Sequence, residues 1–151
     1  MKNPTLIAFL SVSILISAFA TVHMPNGDGK LKWYDIEEVQ KLAKTEPKKV
    51  FIDFTAKWCG WCKVMDKKTF TDAEVADYLN SNYYSVKLDF DSPRKFMYQG
   101  EMVTAKELAR KNGITGLPTM LVASPDFSKV DRIVGYQKPK QFINSLKKID
   151  G

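Results

Sequence analysis

The chain has 151 residues, enough for one domain with a substantial core, and 44% hydrophobic with 26% charged residues is the balance of an ordinary globular protein rather than a disordered or fibrous one. Its formal charge of +6 comes from lysine doublets (Lys48-Lys49, Lys67-Lys68, Lys147-Lys148) interleaved with acids, which reads as solvated faces and not as a nucleic-acid surface. No nucleic-acid partner is expected.

The first twenty residues read as an export signal. Lys2 gives a positive start, Leu6 to Phe19 is an apolar run of fourteen residues, and Ala18-Phe19-Ala20 fits a cleavage site after Ala20. Fourteen residues fall short of the ~20 that span a bilayer, so a cleaved signal is favoured over an anchor. The mature chain would begin at Thr21 and lie in the periplasm or be secreted. Residues 21–32, with Pro25, Asn26, Gly27 and Gly29, read as a mobile leader, and 33–151 as the folded domain.

Trp33 to Lys44 reads as a first helix, with Asp35 as cap, Glu38 three residues on, and Ile36, Val39, Leu42 and Ala43 on its apolar face. Thr45-Glu46-Pro47 ends it. Val50 to Thr55 is β-branched and aromatic, a buried strand that runs directly into Cys59-Gly60-Trp61-Cys62. Cys62 to Lys68 suits a helix, broken at Thr69 to Asp72, after which Asp72 caps a second segment from Ala73 to Asn80. Tyr83 to Phe90 is a strand, and Ser92 to Met102, with Pro93 and Gly100, is irregular. Thr104 caps a helix to Lys111 that Asn112-Gly113 stops. Thr119 to Ala123 and Lys129 to Val134 are strands joined by a turn, and Pro139 to Ile149 is a last helix with Phe142, Ile143, Leu146 and Ile149 inward. The fold class is α/β, a mixed central sheet with helices on both faces.

Cys59 and Cys62 are the only cysteines. Outside the cytoplasm a structural disulfide must be weighed, but a bridge closing so short a ring restrains the unfolded chain little. Two cysteines at the mouth of a helix are better suited to redox work, because the helix N-terminus stabilises a thiolate. The sole histidine, His23, lies near the mature N-terminus, so a four-ligand zinc site cannot be completed. Lys63 follows the pair where haem attachment needs histidine. No metal and no cofactor is implied.

The element order and three motifs resemble the thioredoxin fold over nearly all of 33–149. They are Phe51-Ile52-Asp53-Phe54-Thr55-Ala56-Lys57-Trp58-Cys59-Gly60-Trp61-Cys62-Lys63, then Gly113-Ile114-Thr115-Gly116-Leu117-Pro118-Thr119, then Gly135 after Ile133-Val134. Phe54 to Cys59 with Thr69-Phe70-Thr71-Asp72 and Val75 is similar to exported thioredoxin-like domains related to the C-terminal domain of the membrane electron transporter DsbD. Ordinary thioredoxins carry Gly-Pro between the cysteines; Gly60-Trp61 departs from that, so thiol acidity and potential do not carry over.

The resemblance implies a thiol–disulfide oxidoreductase acting on protein disulfides. Cys59 would be the exposed nucleophile and Cys62 the resolving thiol, the two forming a redox-active disulfide. Asp53, inside an apolar strand, would be a buried carboxylate that takes the proton of Cys62, with Lys87 near it. Pro118 would be cis and packed against the dithiol, with the Leu117 backbone bonding a bound peptide. Trp58, the Gly60-Trp61 dipeptide and Gly135 would form a flat apolar rim. A membrane electron donor of the DsbD kind and a monomeric state are expected, with reduction or isomerisation favoured over oxidation. The competing readings are a dithiol oxidase and a Cu(I)-binding module, the latter disfavoured by Pro118.

Overall fold

Asp35 sets the first boundary. In the computed structural model, which describes residues 29–151, its backbone is extended (φ −75°, ψ 143°) and its carboxylate accepts the Glu37 N–H, so the helix α1 (Ile36–Thr45) starts only after it. Trp33–Tyr34, expected to open that helix, form instead the short strand β1, pairing parallel with residues 85 and 86. The residues ahead of a cap lie outside the helix, and aromatic side chains suit a pleated, half-buried position. The expected signal peptide (1–20) and most of the expected leader (21–32) lie outside the described residues. The described end of that leader is tied down: Asn80 accepts the Lys32 N–H and donates to the Lys30 carbonyl, 2.9 Å each.

β2 (Lys49–Thr55) leads to α2 (Gly60–Lys68), whose cap is Cys59, and Asp72 caps α3 (Ala73–Asn82) by accepting the Val75 N–H. β3 (Tyr83–Asp89) follows directly. Ser92 to Met102 does not remain irregular: β4 (Lys95–Tyr98) and β5 (Glu101–Thr104) form an antiparallel hairpin. Gln99 and Gly100, both at positive φ (50° and 85°), make the two-residue turn whose twist matches the right-handed twist of paired strands. Phe96 and Val103 face inward, while Met97 and Met102 face each other outside. Gln40 of α1 bonds the Met97 carbonyl (2.7 Å) and the Gln99 N–H (2.9 Å), which fixes the hairpin to the domain.

Thr104 and Glu107 form a reciprocal capping box for α4 (Ala105–Lys111), and β6 (Thr119–Ala123), β7 (Val130–Val134) and α5 (Pro139–Asp150) complete the chain. The sheet order is β1-β3-β2-β6-β7, with β1, β3 and β2 parallel and β6 and β7 antiparallel to their neighbours. Alternation on β2 divides the core. Val50, Ile52 and Phe54 pack towards α1 and α4, whereas Phe51 packs with Met65, Phe70, Leu79 and Phe142 of the opposite layer. Each such burial is worth about 1.5–3 kcal/mol against exposure. Among the described residues, no helix is long and apolar enough to cross a membrane.

Candidate active site

β2 ends at Thr55, and the chain turns tightly, the Cys59 N–H bonding the Ala56 carbonyl at 3.0 Å, before α2 begins. Cys59 therefore sits at the cap of α2 and Cys62 in its first turn, with Cα atoms 5.3 Å apart and their sulfurs joined in a disulfide. Cys59 Sγ accepts the Cys62 N–H at 3.1 Å. The Cys62 N–H and the positive end of the helix dipole face that sulfur, an arrangement that favours a thiolate over a thiol once the bond is reduced.

In this oxidised state Cys59 is not exposed as the resemblance implies: it is 4% accessible and Cys62 is 2% accessible. Both pack with Ala56, and the partly buried Phe90 and Leu117 lie against them. Phe90 is placed there by its N–H, which bonds the Thr55 carbonyl at 2.8 Å. The Leu117–Pro118 peptide is cis, and the Gly135 N–H donates to the Pro118 carbonyl at 2.9 Å. Gly135 has φ 82°, a conformation that suits glycine and turns the chain away from β7 at this point.

The two tryptophans stand outward, Trp58 at 66% and Trp61 at 61% exposure, so Trp58 is not core packing. Each is held by a neighbour that sequence reasoning missed. Trp58 Nε1 donates to Asp91 at 2.6 Å, and Trp61 stacks on Tyr136, ring centroids 5.3 Å apart and planes 24° apart. Val134, two residues before Tyr136, is exposed as well. Gly60, between Cys59 and Trp61, has open space where a Cβ would stand. Tyr136 follows the predicted Gly135 and could have been found from that position; nothing local marks Asp91 or Phe90.

Asp53 is buried in the central strand, not on an edge, and faces the layer of α2. Its Cα partner across the ladder is Lys87 of β3, whose Nζ lies 2.7 Å from Asp53 Oδ2. Lys87 also bonds Asp66 of α2, a partner absent from the sequence reading, and sits over the Trp33 and Phe70 rings at 4.4 and 5.0 Å. Burial pushes the Asp53 carboxyl above the usual range, and Lys87 only partly opposes it. A carboxyl held in this way takes up a proton more readily than an exposed aspartate does.

A model of the thioredoxin-like domain matches residues 36–150. The thiol:disulfide interchange protein DsbD of Actinobacillus pleuropneumoniae serotype 5b (strain L20) is 30% identical over 112 residues, covering 73% of this chain but 18% of the relative. The chain thus spans less than a fifth of that relative's length. Among solved structures, a thioredoxin from Thermus thermophilus superposes with a TM-score of 0.64 at 24% identity, covering 80% of this chain and 87% of the other. The oxidised C-terminal domain of DsbD from Neisseria meningitidis gives 0.58 at 24%, covering 74% and 90%. At that identity the two structures speak for the fold alone. With its cysteine pair at the start of α2 and a domain match over residues 36–150, the chain belongs to the thioredoxin-like family.

Proposed function

We propose that the protein is an exported reductase or isomerase of protein disulfides, made with a signal peptide over 1–20 and a short leader over 21–32 ahead of the domain 33–151. The observation that carries this reading is the Cys59–Cys62 disulfide at the mouth of α2, on the same side of the sheet as a buried carboxyl. In the reduced protein the Cys59 thiolate attacks one sulfur of a substrate disulfide. The substrate S–S bond breaks, its second sulfur leaves with the electron pair and takes a proton, and a Cys59–substrate disulfide forms. Cys62 then gives its proton to Asp53 and attacks Cys59 Sγ. The mixed disulfide breaks, the second substrate thiol is released, and the protein is left oxidised by two electrons.

The rim of Trp58, Gly60, Trp61, Leu117, Pro118 and Gly135 receives the substrate segment, and Lys87 moderates the charge on Asp53. Acting as a reductase, the protein ends each turn as the disulfide, so that cycle needs electrons returned from outside. A membrane donor of the DsbD kind supplies them in this reading, and the similarity to part of such a protein supports it. The test is trapping. Cys62→Ser, expressed with its export signal, accumulates mixed disulfides with partner proteins that dithiothreitol releases, whereas Cys59→Ser traps none. Equal trapping by both variants, or by neither, overturns the assignment.

A further inference from the structure

Trp61 occupies the position at which ordinary thioredoxins carry proline, so its part in the site is particular to this chain. Its indole lies on the Tyr136 ring with centroids 5.3 Å apart and planes 24° apart, yet Trp61 remains 61% exposed. One face of the indole is therefore covered and the other meets solvent. Tyr136 is itself anchored. It packs against the buried layer that contains Met65, Phe70, Ile133 and Phe142. The residues on either side of it are tied to different parts of the site. The Gly135 N–H donates to the Pro118 carbonyl at 2.9 Å, and the Gln137 carbonyl accepts the Thr69 hydroxyl at 2.7 Å. Thr69 caps the end of α2 and Trp61 lies in its first turn, so the segment after β7 holds that helix at both ends. An exposed side chain without such a neighbour exchanges rotamers freely in solution.

We propose that Tyr136 is a positioning residue: it fixes Trp61 as a platform beside the cysteine pair, and the substrates this platform selects carry an aromatic side chain next to their disulfide-bonded cysteine. The proposal rests on the disulfide-reducing reading given above. Gly60 leaves open space where a Cβ would stand, so a substrate backbone can pass close to Cys59 and lay a neighbouring side chain on the free indole face. An indole face takes either an aromatic ring or a cation. The surroundings favour the ring. Lys63 and Lys138, two residues along the chain from Trp61 and Tyr136, are both exposed and repel a further positive charge. Holding Trp61 in place beforehand removes an ordering cost that binding would otherwise carry, and that is the step at which Tyr136 acts.

The experiment uses pre-reduced protein and synthetic peptides, each a disulfide-linked homodimer, that differ only in the residue before cysteine: phenylalanine, alanine or lysine. Two electrons pass from the Cys59–Cys62 dithiol to the peptide disulfide, which is released as two thiols while the protein becomes the disulfide. The second-order rate constant is read from peptide thiol after an acid quench, and rates with dithiothreitol in place of the protein correct for intrinsic differences between peptides. The wild type reduces the phenylalanine peptide about three- to tenfold faster than the alanine peptide, the factor a stacked aromatic pair supplies, and the lysine peptide no faster than the alanine one. Tyr136→Leu, which keeps bulk against the core without a ring, brings the phenylalanine-to-alanine ratio close to unity, whereas Tyr136→Phe holds it. A merely structural role for Tyr136 would slow all three peptides alike and leave the ratio in place. Trp61→Ala also abolishes the ratio, and adding Tyr136→Leu to it changes the ratio no further. A wild-type ratio near unity, a preference for the lysine peptide, or a ratio that survives Tyr136→Leu or Trp61→Ala overturns the proposal. Failure of the pre-reduced wild type to reduce any of the peptides would instead remove the disulfide-reducing reading on which it rests.

Discussion

Asp53→Asn separates the burial of a charge from everything else in the core. The carboxyl is 2% exposed in a central strand, and desolvation raises its proton affinity in spite of Lys87 at 2.7 Å. Replacement by the isosteric amide does not orphan Lys87, because Asp66 remains its partner. A carboxyl whose folded-state pKa is raised contributes stability that is fully present below the unfolded value, near pH 3.9, and is lost as pH rises through the folded value. The amide has no such dependence, so the advantage of Asp53→Asn over the wild type grows with pH and levels off once Asp53 is ionised. Each pH unit by which Asp53 is raised amounts to about 1.4 kcal/mol, or roughly half to one and a half molar in the urea midpoint of a small domain. Urea unfolding of both proteins, kept oxidised so that the disulfide does not titrate, measures the difference from pH 4 to pH 9. Groups common to both cancel. A difference that stays constant over that range would mean that Asp53 ionises like an exposed carboxylate, and the proton-acceptor argument would lose its physical basis. If it holds, the same variant slows release of the mixed disulfide by about 10²–10⁴-fold, the usual worth of a general base.

Asp150, at the end of α5, accepts from Tyr78 and Tyr83 at 2.6 Å and from Lys49 at 2.9 Å. Burial alone would raise its carboxyl, but these donors outweigh burial and hold it below the usual range, while burial and the same bond push Tyr78 up to about 12. Asp150→Ala strips the buried Tyr83 of its acceptor and lowers stability by about 1–3 kcal/mol in thermal unfolding at neutral pH. Because the folded-state pKa is depressed, the wild-type advantage is present above the unfolded value and disappears as pH falls through the folded one; a gap undiminished in acid would count against the clamp. N-terminal sequencing of exported protein is expected to begin at Thr21, and material still starting at Met1 would remove the signal-peptide reading.

The sequence by itself determined whatever depends on a few neighbouring residues. Asp35, Asp72 and Thr104 cap the helices assigned to them, Gly113 takes the left-handed conformation that ends α4, and the apolar run before Cys59 is the buried central strand. Caps, periodicity and turn chemistry act within one or two turns of chain, so they are written locally. The disulfide pair was equally legible, since its two members and the helix that presents them lie within one segment. Strand pairing belongs to residues distant in sequence, and Trp33–Tyr34 became a strand only because Ser85 and Val86 offered an open edge. The β4–β5 hairpin could have been read from Gln99-Gly100 between two alternating runs, but its attachment through Gln40 could not. At the site, tertiary structure alone decided that Phe90 and Leu117 cover the sulfurs, that Tyr136 carries Trp61, and that Lys87 divides its charge between Asp53 and Asp66. Those contacts join the loop after β3, the turn before β6, the end of β7 and the side of α2, which meet only when the sheet has closed around them.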